Sequence, residues 1–142
     1  MKLHIFIGSV FLIVLINNVD GKFNVEGLKK MTKPLREPCI QQSGVSPELV
    51  DEARNGNFAD DMELKCYYMC LMQKLKVIKG GKLTVSSIKA QAAALMEDSL
   101  AARVIELIDA CEESAVHDDL CEASFRYVKC AIDFDSTLNF FP

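Results

Sequence analysis

Met62-Glu-Leu-Lys-Cys-Tyr-Tyr-Met-Cys-Leu-Met-Gln-Lys-Leu-Lys76 is the segment around which the rest of the chain is organised. Straight-chain residues dominate it, and Leu64, Tyr68, Leu71, Met72 and Leu75 recur three and four positions apart, which predicts a helix. Cys66 and Cys70 sit four apart on that helix. Their Cβ atoms point the same way from stacked turns, too parallel for the crossed geometry of a disulfide between them. Each must find its partner on another segment. A central helix tied to two others, with an apolar face left over, is the expected skeleton.

The punctuation on either side supports more helices. Upstream, Phe23, Leu28 and Met31 predict a helix over about 23–33 that leads towards Cys39, its end blurred by Pro34 and Pro38. Ser46-Pro47 reads as an N-cap followed by proline at the first helical position, and Asn55-Gly56 stops that short helix. Asp60 and Asp61 place negative charge at the start of the central helix, and Gly80-Gly81 closes it. Downstream, Thr84 can cap a helix whose face carries Ile88, Ala92, Leu95 and Met96. Asp98 or Ser99 can cap the next, with Leu100, Val104, Leu107, Ile108 and Cys111 along one stripe. Asp119-Leu-Cys-Glu122 resembles a capping box and opens a last helix, apolar on more than one side through Phe125, Tyr127, Val128, Ala131 and Ile132. Such a helix belongs at the centre of a bundle. No alternating strand pattern stands out. The fold class is all-α, six short helices.

The first residues read differently. Lys2 and His4 precede an apolar run from Ile5 to Ile16, and Asn17-Asn18 and Val19-Asp20-Gly21 follow. This predicts a secretory signal peptide over 1–21 with cleavage near Gly21, since roughly 20 apolar residues are needed to cross a bilayer. Residues 22–142 then form one domain of formal charge −4, with no electrostatic footprint for nucleic acid or an anionic membrane. All six cysteines, Cys39, Cys66, Cys70, Cys111, Cys121 and Cys130, lie in it. An even count in a small secreted domain implies three disulfides, and forbidding Cys66–Cys70 leaves 12 of the 15 pairings open. No pair has the Cys-x2-Cys spacing and His117 is the domain's one histidine, so no metal site is expected.

The spacing as a whole, Cys39-x26-Cys66-x3-Cys70-x40-Cys111-x9-Cys121-x8-Cys130 behind a signal peptide, resembles that of the insect odorant-binding and pheromone-binding proteins of the six-cysteine type. The resemblance covers the whole of 22–142. It implies an interlocked pairing of first with third, second with fifth and fourth with sixth cysteine: Cys39–Cys70, Cys66–Cys121 and Cys111–Cys130. It implies a compact bundle around a hydrophobic cavity and a secreted carrier of small volatile or lipid-like ligands through aqueous fluid, sensillum lymph if the role is olfactory. It also implies an olfactory receptor as a downstream partner. No cofactor, nucleic acid or membrane insertion is expected, and the protein should be a monomer or weak homodimer.

A cavity for such a ligand would be lined from the central helix by Leu64, Tyr68, Met72 and Leu75. Ile88, Ala92 and Leu95 would come from the fourth helix, and Val104, Ile105 and Ile108 from the fifth. Tyr127, Val128, Ala131 and Phe134 would come from the sixth and its exit. Several family members place a hydroxyl residue two positions after the third cysteine, where this chain has Met72. Tyr68 and Tyr127 therefore become the candidate hydroxyls. The tail, Asp133-Phe-Asp-Ser-Thr-Leu-Asn-Phe-Phe-Pro142, carries three phenylalanines and a leucine where free termini are normally polar. It reads either as packed on the outer surface or as a lid folded over or into an internal site. With His117, the one side chain of 22–142 whose unperturbed pKa lies between pH 5 and 8, such a lid could gate release by pH.

Three rival readings carry less. His117-Asp118 followed by Cys121 resembles the His-Asp pair of secreted phospholipase A2, but no glycine-rich calcium loop accompanies it, and no enzyme is expected. A saposin-like membrane protein would need another cysteine spacing and a cationic face. The same fold could instead carry lipophilic molecules in non-olfactory secretions.

Overall fold

The structure is a computed structural model and describes residues 21–142. The signal peptide expected over 1–21 lies, apart from Gly21, outside the described residues. Helix α1 (Val25–Thr32) is capped by the Asn24 side chain, which accepts the Gly27 N–H. The expected end near Lys33 is only a bend. A 3-10 turn (Lys33–Leu35) carries the rod through Pro34 into α2 (Arg36–Ser43), which stops on Gly44 at φ 78°. Phe23 lies outside the helix. Its N–H donates to the Leu95 carbonyl at 2.7 Å and its carbonyl accepts the Glu97 N–H at 3.0 Å, strapping the start of the domain to a distant loop.

The short helix α3 (Pro47–Arg54) begins on Ser46, whose hydroxyl accepts the Leu49 N–H. The central helix α4 (Met62–Lys74) begins on Asp61, whose carboxylate accepts the Leu64 N–H at 2.8 Å. Its end comes earlier than Gly80-Gly81, with Lys76 in the left-handed region at φ 60°. The two glycines instead turn a hairpin between β1 (Ile78–Lys79) and β2 (Lys82–Leu83). Their φ of 58° and 72° are those of a type I′ turn, which glycine adopts without a Cβ clash. Two-residue strands are too short to show as alternation.

Helix α5 (Val85–Leu95) follows Thr84, but Thr84 makes no cap; its hydroxyl donates backwards to the Lys82 carbonyl. Helix α6 (Asp98–Cys111) starts after Glu97 and leads through a 3-10 turn (Glu112–Ala115) towards α7 (Leu120–Phe134). Asp119 caps α7 by accepting the Glu122 N–H at 2.9 Å. With α1 and α2 as one bent rod, six helical rods make up the bundle.

Helix α7 is apolar on several sides because it touches two separate cores. One is built on α2, α3 and α4 with Tyr67, Tyr68, Leu71 and Val128 at its heart; the other joins α1, α5 and α6 through Leu28, Ala92, Val104 and Ile108. The disulfides staple the helices that pack together. Cys39–Cys70 ties α2 to α4, Cys66–Cys121 ties α4 to α7, and Cys111–Cys130 ties α6 to α7.

Candidate functional site

Where the two cores face one another the packing leaves a cavity of about 70 Å³. Its wall draws on both. Met72 and Leu75 come from the end of α4, Val77 from the approach to the hairpin, and Ile88, Gln91 and Leu95 from α5. Val104 and Leu107 come from α6, Tyr127 and Ala131 from α7, and Leu28 and Met31 from α1. Met96 and the tail residues Leu138, Phe140 and Phe141 complete it. Gln91 and Tyr127 are the only polar side chains in this wall.

Seven of the fourteen residues singled out from sequence face the cavity: Met72, Leu75, Ile88, Leu95, Val104, Tyr127 and Ala131. The others sit elsewhere for a geometric reason. Leu64 and Val128 turn into the α4 core, while Ala92 and Ile108 are sealed in the α6 core. Ile105 lies half-buried on the flank of α6, and Phe134, 50% exposed, points away at the end of α7. Tyr68 stands behind the wall, edge-on to Phe141 at 6.3 Å between centroids. Its hydroxyl is buried without a partner, and burial pushes its pKa up. Tyr127, also pushed up by burial, faces the cavity directly.

Leu28 and Met31 were visible as the apolar face of the first helix, and Leu107 as part of the α6 stripe, but nothing in their spacing distinguished cavity from core. Gln91 and Val77 carried no signal at all.

The tail is an inner wall and not an outer covering. After α7 it makes a 3-10 turn (Ser136–Leu138) and then runs inward, with Leu138, Phe141 and Pro142 buried. The buried Thr32 hydroxyl donates to the Phe140 carbonyl at 2.6 Å, and the Tyr67 hydroxyl to the Pro142 main-chain oxygen at 2.5 Å. Asn139 reaches the Arg54 carbonyl at 3.3 Å. At the tail's start Arg103 pairs with Asp135 at 2.6 Å. The Thr137 hydroxyl and N–H and the Arg103 guanidinium hold the Asp135 carboxyl below its usual range. His117 is exposed in the loop before α7, its Nδ1 accepting the Asp119 N–H at 3.0 Å, and is no part of the cavity wall.

Among the described residues no group of three or more His, Cys, Asp or Glu side chains is placed to hold a metal ion, and no helix is long and apolar enough to cross a membrane. An enclosed apolar chamber in a disulfide-stapled helical bundle is the architecture of a small-ligand binding module.

The chain matches the PBP/GOBP family over residues 21–133. General odorant-binding protein 72 of Anopheles gambiae is 28% identical over 106 residues, covering 74% of this chain and 88% of that protein. Among solved structures, odorant binding protein 5 of Apis mellifera superposes with a TM-score of 0.73 at 28% identity, covering 86% of this chain and 99% of that one. Odorant Binding Protein 7 from Anopheles gambiae, with four disulfide bridges and in complex with an azo compound, superposes with a TM-score of 0.66 at 30% identity, covering 79% of this chain and 89% of that one. With the cysteine framework and the cavity in place, the family follows: this chain belongs to the PBP/GOBP family, the odorant-binding proteins of insects.

Proposed function

We propose that the protein is a secreted carrier that holds one small hydrophobic molecule, odorant- or pheromone-like, in the chamber between its two cores. The observation that carries this reading is the wall itself, apolar but for Gln91 and Tyr127 and enclosed by five helices and the tail. A ligand gains affinity there mainly by leaving water, at about 25 cal/mol per Å² of apolar surface. Membership of the odorant-binding family and the small-molecule complex of one structural relative support it.

The chamber as it stands is smaller than the cavity of about 150 Å³ that accepts benzene in a protein core. Binding therefore requires the wall to yield. Met31, Met72 and Met96 supply that adaptability, since unbranched thioether chains re-rotate at little cost. The Tyr127 hydroxyl provides a hydrogen bond to a ligand oxygen. The tail serves as the movable part of the wall. Its Arg103–Asp135 latch stays ionised at pH 5 and fails only in stronger acid, so acid release of ligand sets in below the usual carboxylate range.

Displacement of the fluorescent probe N-phenylnaphthylamine from the oxidised protein tests the reading. Saturable uptake, reversed by some volatile alcohols, aldehydes and esters and not others, is expected. A folded protein that takes up no probe would have a solid interior, and the carrier reading would fall.

A further inference from the structure

We propose that Gln91 is a specificity-determining residue of the chamber and selects ligands that carry a hydroxyl group, an aliphatic alcohol over the aldehyde of the same chain length. The inference rests on the carrier reading above. Tyr127 alone does not make this distinction, because a phenol both donates and accepts and so serves either oxygen. Gln91 differs because its amide is held. Nε2 donates to the Leu75 carbonyl at 2.8 Å, and Leu75 is itself a wall residue, next after the last turn of α4. That bond directs Nε2 at the end of α4 and leaves Oε1, an acceptor only, with no protein donor among the described residues.

An acceptor set in an apolar wall favours a ligand that brings a donor. An alcohol does. An aldehyde brings another acceptor and makes no bond to Oε1. The gradient of burial along the wall gives the same orientation. Leu75, Ile88 and Gln91 are half-buried and Leu95 is 38% exposed, whereas Val104, Leu107 and Leu138 are sealed. A ligand lying with its hydroxyl at the α5 rim and its alkyl chain towards α6 and the tail satisfies both ends.

Octanol and octanal, then nonanol and nonanal, displace N-phenylnaphthylamine from the oxidised wild type and from Gln91→Met, which keeps the length of the side chain and removes the amide. The wild type is expected to bind each alcohol more tightly than its aldehyde. In the variant the alcohols weaken about two- to tenfold, the range for one hydrogen bond, and the aldehydes hold, so the ratio collapses. Equal weakening of both would show that Gln91 only braces Leu75, and an unchanged ratio that it reads nothing; either overturns the proposal while the carrier reading stands. A wild type that takes up no probe would overturn the carrier reading instead. Gln91→Leu is read in the same way if Gln91→Met does not fold, as judged by its thermal melt.

Discussion

The hydroxyl of Tyr67 in α4 donates a 2.5 Å hydrogen bond to the main-chain oxygen of Pro142, across 75 positions of sequence. Both groups are buried, so the bond is the inner anchor that holds Phe140 and Phe141 against the chamber. Tyr67→Phe leaves a buried main-chain oxygen without its donor, a loss of about 1–3 kcal/mol. The expected outcome is a lower melting temperature together with faster proteolysis of the tail; a variant as stable and as resistant as wild type would show that the anchor contributes nothing.

The three tyrosines are the chain's entire complement, and burial raises all of them, Tyr67 to about 12. A phenol whose folded pKa exceeds its unfolded value of about 10 contributes its full stability below pH 10 and loses it as pH rises through the folded pKa. Tyrosinate absorbance should therefore show no ionisation near pH 10 while the fold is intact, and unfolding free energy should decline between about pH 10 and 12. One tyrosine titrating normally in the folded protein would contradict the burial.

At the acid end the relevant group is Asp135. Hydrogen bonds from Thr137 and the Arg103 guanidinium depress its pKa, so the stability it lends the tail is present above the unfolded value and is lost as pH falls through the lower, folded value. Asp133 is paired separately with Lys129 at 2.7 Å. Probe affinity should thus be nearly level from pH 7 to pH 5 and fall below about pH 4. Arg103→Gln should move that fall upwards. A steep loss between pH 7 and pH 5 in wild type would assign release to other groups.

Filling the chamber separates binding from stability. Ala131 is buried in the wall, and Ala131→Leu places its added methyl groups into empty space. Probe affinity should drop more than about tenfold while the melting temperature holds or rises, because a filled cavity recovers packing. Ala92→Leu, in the solid part of the α6 core, should instead lose about 1–3 kcal/mol by overpacking. The opposite pattern would mean that the empty volume lies elsewhere.

The disulfides differ in the chain they close. Cys66–Cys121 spans 55 positions and Cys111–Cys130 spans 19. Loop-closure entropy puts them at about 4 and about 3 kcal/mol. Removing the first pair with Cys66→Ser and Cys121→Ser should cost about 1 kcal/mol more, in reversible denaturant unfolding, than the equivalent change at Cys111 and Cys130. An inverted order would show that native packing around the bridges outweighs chain entropy.

Three helix starts were legible because their signal is local, whereas Asn24, which caps α1 in the same way, was not, and the first helix is expected from Phe23. Ser46, Asp61 and Asp119 bond N–H groups three residues ahead, a relation contained in five or six letters. Thr84 has the right chemistry and does not cap, because its hydroxyl is bound to Lys82 in a hairpin too short to predict. The rod from Val25 to Ser43 passes both prolines by tightening one turn to 3-10 geometry, which local rules read as an ending.

That the domain is helical, that Cys66 and Cys70 face other segments, and which face of each helix is apolar could all be read from the amino-acid order alone. Those properties follow from periodicity and backbone geometry over a few residues. Which apolar face meets a void was decided only in three dimensions. Tyr127 and Val128 are adjacent on α7, yet a rotation of about 100° sends one to the chamber and the other to solid core. Burial looks the same from either side, since water is excluded from both. The cavity is a remainder between two cores, set by how the rods and the tail pack against one another.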